Sequence, residues 1–566
     1  MRRLTITAIV LSITCAAFAV RASEAVDFSS AKERFSQAVA AELERGILPG
    51  VSVAWVVNGQ VVHSAGYGQA DWQRGAPATA ETIYRAGSIS KLLNALAAMQ
   101  LAEQSKLDLD APIEAALPDF SIQVPFEQAG PITIRQLLCH RSGMIRESPV
   151  GGYLDPSQPT IEATLASVAR CALINPPDTK TRYSNLGPTI VGRAVAVQSG
   201  MSFAEYQRRH LLEPLGMTSS AWTINDVLRP RLAKGRMRIA RGDGDYYFEA
   251  APEFQLGTLP AGNLYTTAGD LARFAAFMMS NDDSGELVPP LVHPASLDMM
   301  YTPQLIDDPT GFGLGFFVGK YRDRRTVQHG GAVYGFSTLL VVLPDEKIAV
   351  VVLSNADIAG GPVRRLADVA LDLLLEAVRG EKIPAPPKIV ESSSDELAKL
   401  AGEYESTSYW ARLEVDGTAI VGELSGQPIR LAATGGDKFL ADGRTMYRSP
   451  IEFERDKDGK AVGFAALGQR FARVDESKTK QPPQAWHTFV GSYGPRVIPL
   501  VVSIRHGHLY ATVENEYDYR LAPLNRVTFQ LPPGMYADEQ VVFQTDADGK
   551  VLGAIMANMY LPRRAD

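Results

Sequence analysis

The sequence has few cysteines, no excess of basic charge and no late stretch long and apolar enough to cross a bilayer. Three cysteines in 566 residues are too few for a disulfide scaffold. The 56 basic and 63 acidic residues give a net charge of −7, which provides no bulk positive field for a nucleic-acid backbone. Neither a Gly-x-Ser-x-Gly elbow nor a His-Glu-x-x-His motif occurs, so the marks of an α/β-hydrolase and a zincin are absent. We predict no metal site, no cofactor and no nucleic-acid partner.

The first 25 residues have the order of a secretory signal peptide. A basic start at residues 1–3 precedes an uncharged run at 4–20, and small residues follow. A membrane anchor is the alternative, but 17 weakly apolar residues are short for a span. We therefore predict an exported protein, periplasmic or secreted, with no integral membrane span after signal removal. Export would permit a disulfide between Cys139 and Cys171, although two separately buried thiols are the simpler interpretation.

Residues 26–380 are predicted to form an α+β domain with an antiparallel sheet. Helices occupy the middle of this region, between an early hairpin and three late strands. The hairpin turns at Asn58-Gly59, a typical two-residue connection. The predicted strands are 51–57, 61–67, 313–319, 337–343 and 348–354, and the clearest helices are 30–48, 88–104 and 364–378.

The remainder of the chain is duplicated. A linker rich in proline and serine, residues 381–397, precedes a first copy at 398–476, and a second linker at 477–486 precedes a second copy at 487–566. Leu400-Ala401-Gly402-Glu403-Tyr404 recurs as Phe489-Val490-Gly491-Ser492-Tyr493, at an offset of 89. Short alternating segments with Asp-Gly turns predict that each copy is a small antiparallel β-barrel, lipocalin-like in form.

The chemistry is predicted before the first linker, at Ser88-Ile89-Ser90-Lys91. Ser-x-x-Lys also occurs at Ser29 and Ser477, but only Ser88 follows a turn glycine and begins an apolar helix. Positions i and i+3 share a helix face, which brings the Lys91 amine beside the Ser88 hydroxyl. A buried lysine loses its charge more easily, and a neutral amine accepts a serine proton. The alternative is a serine that caps a helix and a solvated lysine.

Two further motifs favour the catalytic interpretation. Tyr183-Ser184-Asn185 is the only Tyr-x-Asn among the 20 tyrosines, and His329-Gly330-Gly331 is the only His-x-Gly among the eight histidines. The glycines would let a substrate backbone lie against a strand edge. Each motif alone is weak, whereas their combined order is specific.

In these motifs and in the phrases between them, residues 30–378 resemble the serine hydrolases that include class C β-lactamases, DD-peptidases, D-aminopeptidases and related esterases. The matching phrases include Tyr84-Arg85-Ala86-Gly87-Ser88 and Pro260-Ala261-Gly262-Asn263-Leu264. The resemblance implies a β-lactamase/transpeptidase-like fold. The pair of trailing barrels is similar to the D-aminopeptidase arrangement.

The resemblance also implies a role for each motif residue. Ser88 is the acylated nucleophile, Lys91 its proton partner, and Tyr183 the general base that later acts as general acid. Asn185 hydrogen-bonds Lys91 or the substrate amide. His329, with Gly330 and Gly331, replaces the family's Lys-Thr-Gly motif in substrate binding, which argues against efficient β-lactam hydrolysis. The backbone N–H groups of Ser88 and Ala332 form the oxyanion hole.

Three functions remain open at this point. The first is a peptidase or amidase acting on small peptides with D- or unusual residues. The second is a carboxylesterase acting on short acyl esters, because both reactions share one tetrahedral intermediate. The third is a non-catalytic, penicillin-recognising sensor or cell-wall-binding protein. The partners predicted are therefore a small peptide, amide or ester, and the sequence does not determine the oligomeric state.

Overall fold

The computed structural model describes residues 26–279, 291–304, 310–475, 477 and 481–565. The predicted signal peptide, residues 1–25, lies outside them. In chain order the strands of the N-terminal domain are β1 (Gly50–Val57), β2 (Gln60–Asp71), β3 (Ala76–Pro77), β4 (Tyr84–Arg85), β5 (Arg236–Gly242), β6 (Asp245–Ala250), β7 (Tyr265–Thr266), β8 (Gly311–Phe312), β9 (Phe317–Tyr321), β10 (Arg324–Val333), β11 (Phe336–Leu343) and β12 (Ile348–Ser354).

Eight of these strands form one antiparallel sheet in the order β3-β2-β1-β12-β11-β10-β9-β8. The first strand of the chain therefore pairs with the last strand of the domain. Strands β1, β11 and β12 are buried along their whole length, as their nearly continuous apolar sequences require. Because β1 pairs with β12, the early and late motifs of the sequence lie in one domain.

Helices cover both faces of the sheet. Because side chains alternate along a strand, Trp55 of β1 enters the apolar layer shared with α1 and α11, whereas Val56 enters the layer that contains α2 and α9. The helices are α1 (Ser29–Glu44), α2 (Ser90–Glu103), α3 (Ile113–Ala116), α4 (Ile134–Leu138), α5 (Ile161–Ala166), α6 (Leu186–Ser199), α7 (Phe203–Gln207), α8 (Leu259–Gly262), α9 (Ala268–Met278), α10 (Pro294–Met300) and α11 (Gly360–Arg379).

The α+β fold is confirmed, with one correction near the third motif. The sequence predicted three late strands and placed His329 ahead of one of them. The structure has five, β8 to β12, and His329 lies within β10. Gln328, His329 and two glycines give β10 a poor intrinsic strand preference, but pairing with β11 and β9 holds it extended.

The first C-terminal copy is a closed eight-stranded antiparallel barrel. Its interior is filled with packed aromatic side chains, for example Phe464 stacked on Phe471 at 4.7 Å. A short helix α12 (Ser394–Ala398) precedes it. The strands are β13 (Gly402–Glu405), β14 (Trp410–Asp416), β15 (Ala419–Leu424), β16 (Gln427–Gly435), β17 (Lys438–Gly443), β18 (Ser449–Arg455), β19 (Ala461–Ala466) and β20 (Gln469–Arg473).

The second copy consists of a four-stranded and a five-stranded antiparallel sheet. An isolated bridge between Tyr493 and Arg563 connects the first strand of this copy to its end. Unlike the first copy, it does not form one continuous closed sheet. Its strands are β21 (Gly491–Tyr493), β22 (Leu500–Arg505), β23 (His508–Val513), β24 (Tyr517–Arg520), β25 (Ala522–Pro523), β26 (Thr528–Gln530), β27 (Gln540–Thr545), β28 (Val551–Met556) and β29 (Met559–Pro562).

The duplication read from the sequence is visible in matched hydrogen bonds. The Tyr404 hydroxyl donates to the Leu400 carbonyl at 2.5 Å, and the Tyr493 hydroxyl donates to the Phe489 carbonyl at 2.6 Å. Both pairs stand at the offset of 89 residues. The Asp-Gly turns also match, because Asp456 and Asp546 each accept backbone N–H groups two and four residues further on. The two copies therefore share local geometry even where their sheets differ.

The two copies pack against each other at Trp410. The indole N–H donates to Asp518 Oδ2 at 2.9 Å, and the guanidinium carbon of Arg505 lies 3.6 Å from the centroid of the Trp410 ring system. All three side chains are buried. This contact joins the first barrel to the second copy, which also reaches the N-terminal domain.

We expect Trp410→Ala to lower the free energy of unfolding of the C-terminal region by about 3–5 kcal/mol, because it removes a large buried side chain. Trp410→Phe keeps a ring under Arg505 and loses only the indole donor, so it should cost about 1–2 kcal/mol. Urea denaturation, monitored by the far-ultraviolet circular dichroism of the backbone, measures the free energy of unfolding of both variants. Equal losses in the two variants would contradict the packing role of the ring.

Candidate active site

Ser88 lies in a single 3-10 turn, Gly87–Ile89, which leads directly into α2. Gly87 has a φ of +56°, and a Cβ at this position would lie 2.8 Å from the backbone nitrogen of Ala332. Glycine therefore meets two requirements here, a left-handed backbone and a close approach to β10. Ser88 itself is half-buried between buried neighbours, so its hydroxyl faces the cleft.

The Lys91 amine lies beside the Ser88 hydroxyl in the interior of the protein. Lys91 Nζ is 2.9 Å from Ser88 Oγ, 2.7 Å from Asn185 Oδ1 and 2.8 Å from the Ala261 carbonyl oxygen. Burial holds the pKa of Lys91 well below its ordinary value, against the opposing influence of the nearby Glu147 carboxylate. A neutral amine donates its two hydrogens to the two carbonyl oxygens and directs its lone pair at Ser88.

Tyr183 borders Ser88 from the opposite side. Its hydroxyl hydrogen-bonds Ser88, and its ring lies 4.9 Å from Lys91 Nζ. Enclosure in the cleft raises the pKa of Tyr183 to about 12, although the Ser88 hydrogen bond lowers it. The imidazole of His140 stacks on the phenol with centroids 4.3 Å apart. The resting tyrosine is therefore protonated and held in place by packing.

His140 has a structural role beside Tyr183. Its φ is +60°, its Nδ1 accepts the backbone N–H of Ser184 at 3.2 Å, and burial lowers its pKa well below the ordinary value. It therefore fixes the backbone next to Tyr183 as a neutral ring.

Asn185 is held by a buried carboxylate that the sequence did not reveal. Its amide nitrogen donates to Glu147 Oε1, which leaves Oδ1 directed at Lys91. The second oxygen of Glu147 accepts the Tyr153 backbone N–H at 3.0 Å. Burial raises the pKa of Glu147 to about 7, against the effect of neighbouring Arg146.

The His329-Gly330-Gly331 motif forms one wall of the cleft. Strand β10 pairs with β9 only through Arg324–Gln328, so residues from His329 onward have a free edge facing the Ser88 turn. A Cβ on Gly331 would lie 2.0 Å from the Ala86 carbonyl oxygen. Only glycine permits such a close approach of β10 to the Ser88 turn. Gly330 and Ala332 remain exposed at the free edge of the strand.

His329 is a neutral side chain in this wall. Its Nδ1 donates to the Gly330 carbonyl oxygen at 2.5 Å, and burial lowers its pKa to about 4. Its Nε2 is buried and has no hydrogen-bond partner among the described residues. The ring therefore offers the cleft an unpaired acceptor rather than a positive charge.

The cleft is a cavity of about 500 Å³ that both parts of the chain enclose. All the predicted motif positions except buried Lys91 line it. The C-terminal region contributes Thr445 from the first copy and Glu514, Glu516, Tyr517 and Met535 from the second. The sequence did not predict these residues, because no local motif marks them.

Comparison with known proteins identifies the family of this domain. A family model described as Beta-lactamase matches residues 35–375. The chain is a member of the β-lactamase family. It is 28% identical over 371 residues to penicillin-binding protein 4 of Amycolatopsis lactamdurans, across 63% of this chain and 93% of that protein. It is 25% identical to protein flp of Staphylococcus aureus strain MRSA252, across 56% of this chain and 61% of that protein.

Solved structures extend the likeness beyond the β-lactamase-family domain. The octameric penicillin-binding protein homologue from Pyrococcus abyssi matches with a TM-score of 0.55 and 25% identity. The match covers 78% of this chain and 100% of the homologue's chain. The D-amino acid amidase from Ochrobactrum anthropi SV3 has a TM-score of 0.51 and 22% identity, and covers 62% and 99%. The second likeness supports the fold of the family.

Other classes of site are not evident in this β-lactamase-family protein. Among the described residues, no group of three or more His, Cys, Asp or Glu side chains is placed to hold a metal ion. Cys139 and Cys171 are both buried, free thiols, as the simpler interpretation predicted. None of the described helices is long and apolar enough to span a membrane.

We expect Gly331→Ala to slow acylation of Ser88 by about 100-fold, because the added methyl would push β10 away from the Ser88 turn. Gly330→Ala is the matched control, since its methyl would meet nothing closer than the Thr338 carbonyl oxygen at 3.7 Å. The rate of covalent labelling by a fluorophosphonate measures both variants, with thermal unfolding to exclude a loss of fold. Equal labelling rates in the two variants would contradict the proposed fit.

Proposed function

We propose that this protein is an exported serine hydrolase that forms an acyl-enzyme at Ser88 and cuts amide bonds in small peptides. The observation that carries the proposal is the position of the buried Lys91 amine, whose nitrogen lies 2.9 Å from Ser88 Oγ and within 2.8 Å of two carbonyl oxygens, so that a neutral amine would turn its lone pair toward Ser88. Export to the periplasm or the medium rests on the signal-like sequence of residues 1–25.

In the first step, Ser88 Oγ attacks the substrate carbonyl carbon and gives its proton to Lys91 Nζ. The pKa directions favour this assignment, because Lys91 is shifted toward its neutral form and Tyr183 toward its protonated form. This proposal assigns the initial proton transfer to Lys91, whereas the family resemblance implies Tyr183 as the general base. The backbone N–H groups of Ser88 and Ala332 receive the oxyanion of the tetrahedral intermediate.

In the second step, the bond between the carbonyl carbon and the leaving nitrogen breaks, and the Tyr183 hydroxyl protonates that nitrogen. The Lys91 ammonium then returns a proton to the Tyr183 phenolate. Water hydrolyses the Ser88 ester by the reverse sequence of proton transfers. A protonated tyrosine favours amides over esters as substrates, because an amine leaves only after it gains a proton.

The cavity also supports a substrate class, molecules with a free amino group. Glu514 is paired with Arg146, but among the described residues no Lys or Arg forms an ion pair with Glu516, whose side chain lines the same cavity. Burial, followed by the Glu514 carboxylate, raises the pKa of Glu516 to about 7. A substrate ammonium would supply the missing cation. The His-x-Gly motif favours D- or unusual residues through the family resemblance.

We expect Ser88→Ala to abolish turnover of peptide amides and covalent labelling by a fluorophosphonate, because it removes the acylated oxygen. Ser29→Ala changes the exposed serine of another Ser-x-x-Lys sequence and should leave both readouts intact. Mass spectrometry locates the adduct on the peptide that contains Ser88. Undiminished turnover in Ser88→Ala would overturn the proposed function. Turnover of p-nitrophenyl esters without any turnover of amides would replace it with the esterase alternative.

We expect the KM for an amino-acid amide with a free amine to rise as the pH falls through about 7, because protonation removes the negative charge of Glu516. Glu516→Gln should raise that KM at pH 8 by about tenfold and flatten its pH dependence. The N-acetylated amide is the matched substrate and should show neither effect. The same KM change for both substrates would contradict an ammonium site.

A further inference from the structure

A cation from the catalytic domain contacts Tyr183 on the side facing the C-terminal region. The guanidinium carbon of Arg146 lies 5.4 Å from the centroid of the Tyr183 ring and 5.2 Å from that of Tyr536. Tyr536 belongs to the second C-terminal copy. One buried guanidinium therefore contacts a phenol of each domain.

The second copy fixes the position of this guanidinium. Glu514 Oε1 and Oε2 lie 3.4 Å and 3.5 Å from two nitrogens of Arg146, and the Tyr536 hydroxyl donates to the same carboxylate. The backbone N–H of Arg146 donates to Glu539 Oε1 at 3.2 Å. Three residues of the second copy thus hold Arg146, two through its side chain and one through its backbone N–H.

Other positive charge near the Tyr183 hydroxyl is limited. Burial lowers the pKa of His329 to about 4 and holds the pKa of Lys91 well below its ordinary value, so both side chains are shifted toward their neutral forms. Arg364 also lines the cavity and binds Asp368 at 2.7 Å and Gln328 at 3.0 Å, but among the described residues its guanidinium makes no contact with the Tyr183 ring. Arg146 is therefore the permanent cation in contact with the Tyr183 ring.

We propose that Arg146 is a positioning residue for proton transfer, which stabilises the Tyr183 phenolate as the leaving nitrogen is protonated, and that the second C-terminal copy holds it there. The proposal rests on the proposed function above. In this step the O–H bond of Tyr183 breaks, an N–H bond forms on the leaving group, and the negative charge left on the phenol is stabilised by the guanidinium that contacts its ring.

The charges around Tyr183 agree with this role. After burial and the Ser88 hydrogen bond, Arg146 has the next largest influence on the pKa of Tyr183, and it lowers that pKa. Glu147 and Glu514 oppose it more weakly. The titratable and charged groups that face Tyr183 are Lys91, His140, Arg146, Glu147, His329 and Glu514.

The test compares leaving groups, because a p-nitrophenolate departs without a proton and an amine does not. We expect Arg146→Gln to reduce turnover of an amino-acid amide about tenfold more than turnover of the p-nitrophenyl ester with the same acyl group. Arg146→Lys keeps the cation and should restore most of the amide-to-ester ratio. Fluorophosphonate labelling of Ser88 reports whether each variant retains an assembled site.

Arg182→Gln is the matched control. Arg182 binds Asp538 of the second copy at 3.1 Å, at the same domain interface, and does not line the cavity. It should leave the amide-to-ester ratio unchanged even where it weakens the interface. A ratio that falls equally in Arg182→Gln would show that the effect comes from a loosened interface and would overturn the proposal.

Equal losses on amide and ester in Arg146→Gln would also overturn it, as would an Arg146→Lys variant no better than Arg146→Gln. If Arg146→Gln does not fold, the amide-to-ester ratio of Arg146→Lys is the deciding measurement. A ratio equal to that of the wild type, with normal Ser88 labelling, would support the proposal that this position requires a cation. These failures leave both Ser88 labelling and amide turnover by the wild type intact, whereas failure of the proposed function would remove at least one of them.

Discussion

The burial of one lysine amine is the constraint on which the rest of this site depends. Lys91 lies on a helix that is buried on all sides, and the Asn185 side chain and the Ala261 carbonyl occupy its hydrogens. Removing an ammonium from water is costly, so this environment favours the neutral amine. In the function that we propose, the neutral amine activates Ser88 as the nucleophile, and Glu147 accepts a hydrogen bond from Asn185 that leaves the Asn185 oxygen directed at Lys91.

The second C-terminal copy completes this site from outside the family domain. Its segment from Glu514 to Tyr517 and its residues Met535 and Tyr536 reach the cleft or the groups that border it. The copy is itself joined to the first barrel through Trp410. The reacting residues that we propose thus lie in the first domain, whereas the charged groups around the cleft come from both the first domain and the second copy.

Much of the fold and the reacting residues could be predicted from local sequence patterns. Apolar runs marked β1, β11 and β12, and short motifs marked Ser88, Tyr183 and His329. Strand β10 escaped prediction because its glycines and polar residues disfavour an isolated strand, and only its neighbours hold it. Glu514 escaped prediction because it reaches Arg146 across 368 positions of sequence, and no periodicity or motif encodes a contact of that range.

The ionisation state of Lys91 is the most direct test of this account. Lysine labelled with 13C and 15N in the side chain allows each amine to be titrated by NMR, with Lys91→Arg to assign the signal. The account predicts a Lys91 amine that is neutral at pH 7 and titrates well below the surface lysines. A Lys91 signal that titrates with the surface lysines, near a pKa of about 10.4, would contradict it.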